Sequence, residues 1–210
     1  MRQPVAVLIS GSGTNLQALI DAVSAPDYPA EIRVVISNRR DAFGLQRARD
    51  AGIEALWIPH RGRSRAAFEA DLLEALSERS VSWVALAGFM RLLSEAFLSA
   101  YAGRILNIHP ALLPAFPGVH GARQAVEYGV RIAGATVHFV DAGTDTGPII
   151  LQGAVPVLPD DDDDTLAARI LTIEHQLYPR ALALATSGRL RIEGRRVRLP
   201  DGEPGLLWSC

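Results

Sequence analysis

The sequence predicts an α/β fold: a doubly wound, mostly parallel sheet with helices on both faces and a small C-terminal hairpin. Three observations predict it. Short apolar runs bounded by turn residues recur along the first half of the chain, as in strands buried on both faces. Amphipathic helical patterns alternate with them. A glycine-punctuated turn joins the first such strand to the first helix, the opening of a βαβ unit.

Val5-Ala6-Val7-Leu8-Ile9 is the first strand, Gly11-Ser12-Gly13 its turn, and Leu16, Leu19, Ile20 and Val23 mark the apolar face of the first helix. Residues 32–37 form a second strand, and residues 43–51 a helix closed by Gly52. Residues 55–58 form a third strand. Ser64 is placed to cap a helix bearing Phe68, Leu72, Leu73 and Leu76. Residues 84–87 and 105–108 are the fourth and fifth strands. The chain then reads as loop from 107 to 121, with Pro110, Pro114, Pro117 and Gly118. Residues 135–140 are strand-like, with Thr136 and His138 on one face, and residues 141–148 are loop again. A long helix runs over 165–187 with Leu166, Ile170, Ile173 and Leu177 on its buried face, and residues 190–199 alternate around Gly194 as a terminal hairpin. The acidic run Asp160 to Asp164 reads as a solvated loop that sets negative charge near a helix N-terminus; it is given no catalytic role.

Composition narrows the function. The net charge is −2, with no basic patch of the kind that nucleic acid or a membrane surface attracts. All 21 basic residues are arginine, which excludes Schiff-base chemistry and the lysine of a Walker loop. The single cysteine, Cys210, supports neither an internal disulfide nor a thiolate metal site, so a reducing, cytoplasmic compartment is expected. The chain opens on a strand rather than a basic leader, and no apolar stretch is long enough to span a bilayer.

Three segments carry candidate chemistry. In the first, Ser10-Gly11-Ser12-Gly13-Thr14-Asn15 brings backbone N–H groups and a helix N-terminus together, which suits a phosphate. A third glycine is missing from the turn, so a small phosphate ester fits better than a dinucleotide; the alternative is a tight turn with no ligand. In the second, Asn107-Ile108-His109-Pro110 ends the fifth strand, where open α/β sheets bind ligands. Asn107 and His109 are two apart and share a face, so an amide and an imidazole can hold an oxygen that is gaining charge. In the third, the loop from Asp141 to Pro148 holds two carboxylates, Asp141 and Asp145, and either can orient His109 or organise a water. A calcium loop is excluded by the missing glutamate. His109, His120 and His138 do not match a compact zinc spacing, and no metal is assigned.

Taken in order, these segments resemble the phosphoribosylglycinamide formyltransferase family. The matching stretches are Ile9 to Gln17, Ala87-Gly88-Phe89-Met90-Arg91-Leu92-Leu93, Asn107 to Pro114, and Val137 to Val140 continuing through Asp145-Thr146-Gly147-Pro148-Ile149-Ile150. The resemblance implies one domain over 1–210, with a phosphate-binding half over about 1–104 and a catalytic, folate-binding half over about 105–210. It implies that 10-formyltetrahydrofolate is the co-substrate and glycinamide ribonucleotide the acceptor, in a monomer or homodimer without nucleic acid, membrane or metal. Gly13, Thr14 and Asn15 would hold the phosphate, and Glu174 the ribose or the glycinamide arm. Met90, Arg91, Leu92 and Leu93, with the loop from Val140 and Asp141 to Asp145, would line the pterin pocket, where Asn107 also reaches the folate. Arg65 and Arg91 would meet the folate carboxylates. Asn107, His109 and Asp145 would be the catalytic set, so the resemblance, not local sequence, decides between Asp141 and Asp145. Leu171 departs from the pattern one turn before Glu174, where a polar residue would help hold the ribose. Methionyl-tRNA formyltransferase and formyltetrahydrofolate hydrolase are the neighbouring alternatives; each is expected to carry a further domain. A folate- or nucleotide-binding module without catalysis is the alternative from another class.

Overall fold

The structure is a computed structural model, described here for residues 1–208; Cys210 lies outside the described residues. The fold is the α/β class that the sequence predicts, with mostly parallel strand pairs, six helices and a C-terminal antiparallel hairpin. It divides into two compact units at Leu106/Asn107.

The first unit is built from β1 (Gln3–Ile9), α1 (Thr14–Val23), β2 (Ala30–Ser37), α2 (Gly44–Asp50), β3 (Glu54–Trp57), α3 (Arg65–Glu78), β4 (Trp83–Leu86) and α4 (Glu95–Ala100), with β5 (Ile105–His109) crossing its boundary. Strands run in the order β3-β2-β1-β4, and every pair is parallel. Val5 to Ile9 are all fully buried, as an apolar run without alternation requires of a central parallel strand. Ser64 caps α3 by accepting the Ala67 N–H. α4 had no separate signal in the sequence. Its cap, Ser94, accepts the Phe97 N–H, and the Ser94 N–H and hydroxyl both donate to the buried Glu69 carboxylate of α3.

The turn after β1 shows why glycine is needed there. Gly13 is left-handed, φ 71°, and caps α1. A Cβ on it would lie 2.7 Å from the Gly44 Cα, and one on Gly44 would lie 2.4 Å from Ile9 Cδ1. The third glycine, absent from the turn itself, is thus supplied by the start of α2, which packs backbone to backbone on Gly13 while the Gly44 N–H donates to the Gly11 carbonyl.

The second unit contains the end of β5, α5 (Gly121–Tyr128), β6 (Ile132–Phe139), β7 (Ile149–Pro156), α6 (Asp163–Thr186), β8 (Arg191–Glu193), β9 (Arg196–Arg198) and β10 (Leu206–Trp208). β6 and β7 are antiparallel and almost wholly buried. β8 and β9 are the expected hairpin. α5, β7 and β10 went unassigned in the sequence; β7 follows the polar loop of residues 141–148, and β10 has three residues that pair in parallel with β7. α6 buries Leu166, Ile170, Ile173 and Leu177 as expected and carries Pro179 within it. The acidic run has a structural use. Asp162 caps α6 in a reciprocal box with Thr165, and Asp161, its pKa pulled down to about 2 by Arg169, pairs with that guanidinium at 2.8 Å.

Crowding and backbone strain at Gly13 are separable. Gly52 has the same sign of φ, +70°, but a Cβ added to it would meet nothing within 4 Å. Gly52→Ala should cost about 1–2 kcal/mol from left-handed strain alone, whereas Gly13→Ala should lose roughly 1–3 kcal/mol more from overpacking against Gly44. Urea unfolding of both variants measures the difference, and equal losses would show that the Gly13–Gly44 contact yields freely.

Candidate active site

Asn107 and His109 close β5, and both reach the carboxylate of Asp145. Asn107 Nδ2 is 3.5 Å from Asp145 Oδ1, and His109 Nδ1 is 3.5 Å from Asp145 Oδ2. The other His109 nitrogen, Nε2, lies 2.8 Å from the Phe116 carbonyl. The imidazole therefore has an acceptor at each nitrogen, an arrangement that a doubly protonated ring satisfies. The Gly118 N–H donates to Asp145 Oδ2 at 2.8 Å, tying the loop after β5 to the same carboxylate. His109 is buried, and the Asp145 side chain is 12% exposed.

Burial raises the Asp145 pKa. The His138 side chain whenever its ring is protonated, the Gly118 N–H and the charge of His109 more than offset this, so the carboxyl titrates below its ordinary value of 3.8. Asp145 itself is left-handed, φ 54°. The loop that holds it is organised by Asp141, whose Oδ1 accepts from the Gly143 N–H at 3.1 Å and the Thr146 hydroxyl at 2.6 Å. The two carboxylates thus separate: Asp145 sits beside His109, while Asp141 is exposed and spends its contacts on the loop.

The loop between β5 and α5 is anchored from below by Thr136 on β6. Its buried hydroxyl accepts from the Leu113 N–H and donates to the Ala111 carbonyl. His138, two residues on and also buried, lies 3.2 Å from Asn107 Nδ2 and 3.6 Å from Asp145 Oδ1 through Nε2. The sequence placed His138 on one strand face with Thr136 and in a rejected metal set, without a catalytic role. Its usable signal was the strand period, which sets it on one face with Thr136. His120 is exposed at the start of α5 and takes no part in the hydrogen bonds and ion pairs that join Asn107, His109, His138 and Asp145. Among the described residues, no group of three or more His, Cys, Asp or Glu is arranged to hold a metal ion.

The remaining candidates fall in place by unit. In the first, Gly13, Thr14 and Asn15 form the N-terminus of α1, whose first turn carries no acidic side chain, so its N–H groups face no competing carboxylate of their own helix. Ser10 locks this corner: its hydroxyl donates to Asn38 Oδ1 at 2.7 Å and accepts from the Met90 N–H at 2.9 Å. Met90 and Leu92 are exposed apolar side chains, 69% and 67%, while Leu93 is half-buried. The Arg91 guanidinium lies over the Phe68 ring at 5.8 Å, and Arg65 is exposed at the first position of α3. In the second unit, Val140 is half-buried just past β6, and Glu174 is buried on α6 one turn after Leu171.

Comparison with known proteins places the chain. Residues 3–182 match the formyl transferase family. Phosphoribosylglycinamide formyltransferase of Escherichia coli is 48% identical over 200 residues, covering 95% of this chain and 94% of that protein. The trifunctional purine biosynthetic protein adenosine-3 of Drosophila pseudoobscura pseudoobscura is 53% identical over 193 residues, but this chain spans only 14% of its length. The crystal structure of glycinamide ribonucleotide transformylase 1 from Symbiobacterium toebii superposes with a TM-score of 0.93 at 55% identity, over 95% of each chain. With the matched region containing the strand-end asparagine and histidine and the aspartate loop that meets them, the chain belongs to the formyl transferase family, among the phosphoribosylglycinamide formyltransferases.

Proposed function

We propose that the protein transfers the formyl group of 10-formyltetrahydrofolate to the amine of 5'-phosphoribosylglycinamide, a step of de novo purine biosynthesis. The observation that carries this reading is the convergence of Asn107 and His109 on one half-buried carboxylate, Asp145. The names of the relatives at 48% and 55% identity support the choice of acceptor.

In this scheme the amine attacks the formyl carbon directly. With a pKa of about 8, such an amine is partly neutral already and needs little activation. A bond forms from nitrogen to carbon, and the carbonyl π pair moves onto oxygen. The Asn107 amide and a protonated His109 donate to that oxyanion. Asp145 stabilises the imidazolium and holds a water that carries the ammonium proton to the departing folate nitrogen. The oxyanion then re-forms the carbonyl as the bond from carbon to the folate nitrogen breaks. Gly13, Thr14 and Asn15 hold the phosphate by backbone N–H groups at the start of α1. Glu174 bonds the ribose or the glycinamide arm. Within the first unit Met90 to Leu93 are assigned to the pterin and Arg65 and Arg91 to the folate carboxylates; within the second, Val140 and Asp141 are assigned to the pterin. The exposure of Met90 and Leu92 supports an apolar contact there.

Two measurements test the scheme. Asn107→Ala and His109→Ala should each lower kcat by roughly 10²–10³-fold, followed by folate absorbance with both substrates present, while a folate analogue still binds. Near-normal turnover in His109→Ala would remove the imidazole from the chemistry. Asp145→Asn should alter the pH profile of kcat and also the acid stability. Because its folded-state pKa is lowered, ionised Asp145 stabilises the native state above 3.8, and this contribution is lost as pH falls through the lower folded value. The stability gap between wild type and Asp145→Asn should therefore be full at neutral pH and close in acid; a gap independent of pH would break the assignment.

A further inference from the structure

We propose that His138 is a positioning residue that fixes which way round the Asn107 carboxamide sits, so that Asn107 offers N–H rather than C=O to the reacting oxygen. The inference rests on the formyl-transfer reading above and adds a residue to it. An asparagine amide rotated by half a turn has the same shape, and only its hydrogen-bond partners decide where nitrogen and oxygen lie.

The partners here form a chain of decisions. His138 Nδ1 lies 2.8 Å from the Phe139 carbonyl, which only accepts, so Nδ1 carries the proton. Nε2 of a neutral ring is then an acceptor. It faces Asn107 at 3.2 Å and so selects the amide nitrogen. The backbone carbonyl sets the tautomer, and the tautomer sets the amide. A doubly protonated His138 would present an N–H at the same point and select the amide oxygen instead. The carboxylate of Asp145 lies farther from Nε2, at 3.6 Å. The shorter contact to Asn107 and the Asn107 N–H directed at Asp145 Oδ1 favour the neutral ring.

The two hydrogens of the amide then differ. One is held by His138 at 3.2 Å. The other points at Asp145 Oδ1 at 3.5 Å, the outer limit of a hydrogen bond, and is the one that can turn to an oxyanion at little loss. His138 is 2% exposed, so water does not replace its acceptor when it is removed.

Two replacements separate this role from packing. His138→Asn keeps a donor for the Phe139 carbonyl but has no atom at the Nε2 position; His138→Gln can place its amide oxygen there. In the absorbance assay, His138→Asn should lower kcat by about tenfold or more while KM for the formyl-folate changes by no more than about twofold. His138→Gln should recover most of the loss. Asn107→Ala combined with His138→Asn should be no slower than Asn107→Ala alone if His138 acts through Asn107 rather than through Asp145. Losses that multiply in the double variant, or equal losses in the Asn and Gln variants, would overturn the proposal. Thermal melts accompany each variant; if His138→Asn does not fold, the Gln variant decides, alone and with Asn107→Ala, through kcat kept near wild type or not. A wild-type protein that fails to formylate the ribonucleotide would instead defeat the functional reading.

Discussion

The carboxylate of Asp145 is the constraint on which the second unit is arranged. It is a charge with a side chain only 12% exposed, and such a group is tolerated only when its lone pairs are met. They are met by the Gly118 N–H, by His109 Nδ1 and by the Asn107 amide, drawn from the end of β5 and the loop beyond it. Two of the groups that satisfy the charge, Asn107 and His109, are the ones proposed to handle the oxyanion. Satisfying the fold and assembling the site are therefore one requirement. Removing a partner leaves a partly buried charge undersatisfied, a loss reduced by the solvent that still reaches it.

Holding that carboxylate in place uses residues without chemistry of their own. Asp141 closes the loop on Gly143 and Thr146. Gly147 lets it pass close to β6, since a Cβ there would lie 1.7 Å from the Phe139 carbonyl oxygen. Thr136 does the same for the proline-rich loop, spending both halves of its hydroxyl on the Leu113 and Ala111 backbone. Thr136 and His138 are polar residues on a buried strand, and each has its polar atoms engaged by backbone or by the site. Their energetic weight lies in the cost of leaving any of these groups unpaired.

In the first unit the corresponding constraint is close backbone approach. Gly13 and Gly44 meet without side chains, and Ser10 joins the corner to Asn38 and Met90. This leaves the N-terminus of α1 unobstructed by its own residues, the condition for holding an anion by main-chain N–H groups.

By itself, the sequence determined the class of fold, most strands of the first unit and the shared face of Asn107 and His109. Each of these follows from short-range periodicity: an unbroken apolar run such as Val5 to Ile9 has one reading in a parallel sheet, and residues two apart on a strand point the same way. It missed α4, α5, β7 and β10; α4, α5 and β10 are short, so tertiary packing decides them, and β7 takes its place by pairing antiparallel with β6. Which aspartate meets His109 was beyond it, because Asp141 and Asp145 differ only in how the loop turns back on β6. Likewise Gly44 as the missing glycine, and His138 as the neighbour of Asn107, come from segments more than 30 residues apart along the chain. Pairings at that separation are fixed by strand register and loop closure, which no local pattern of residues encodes.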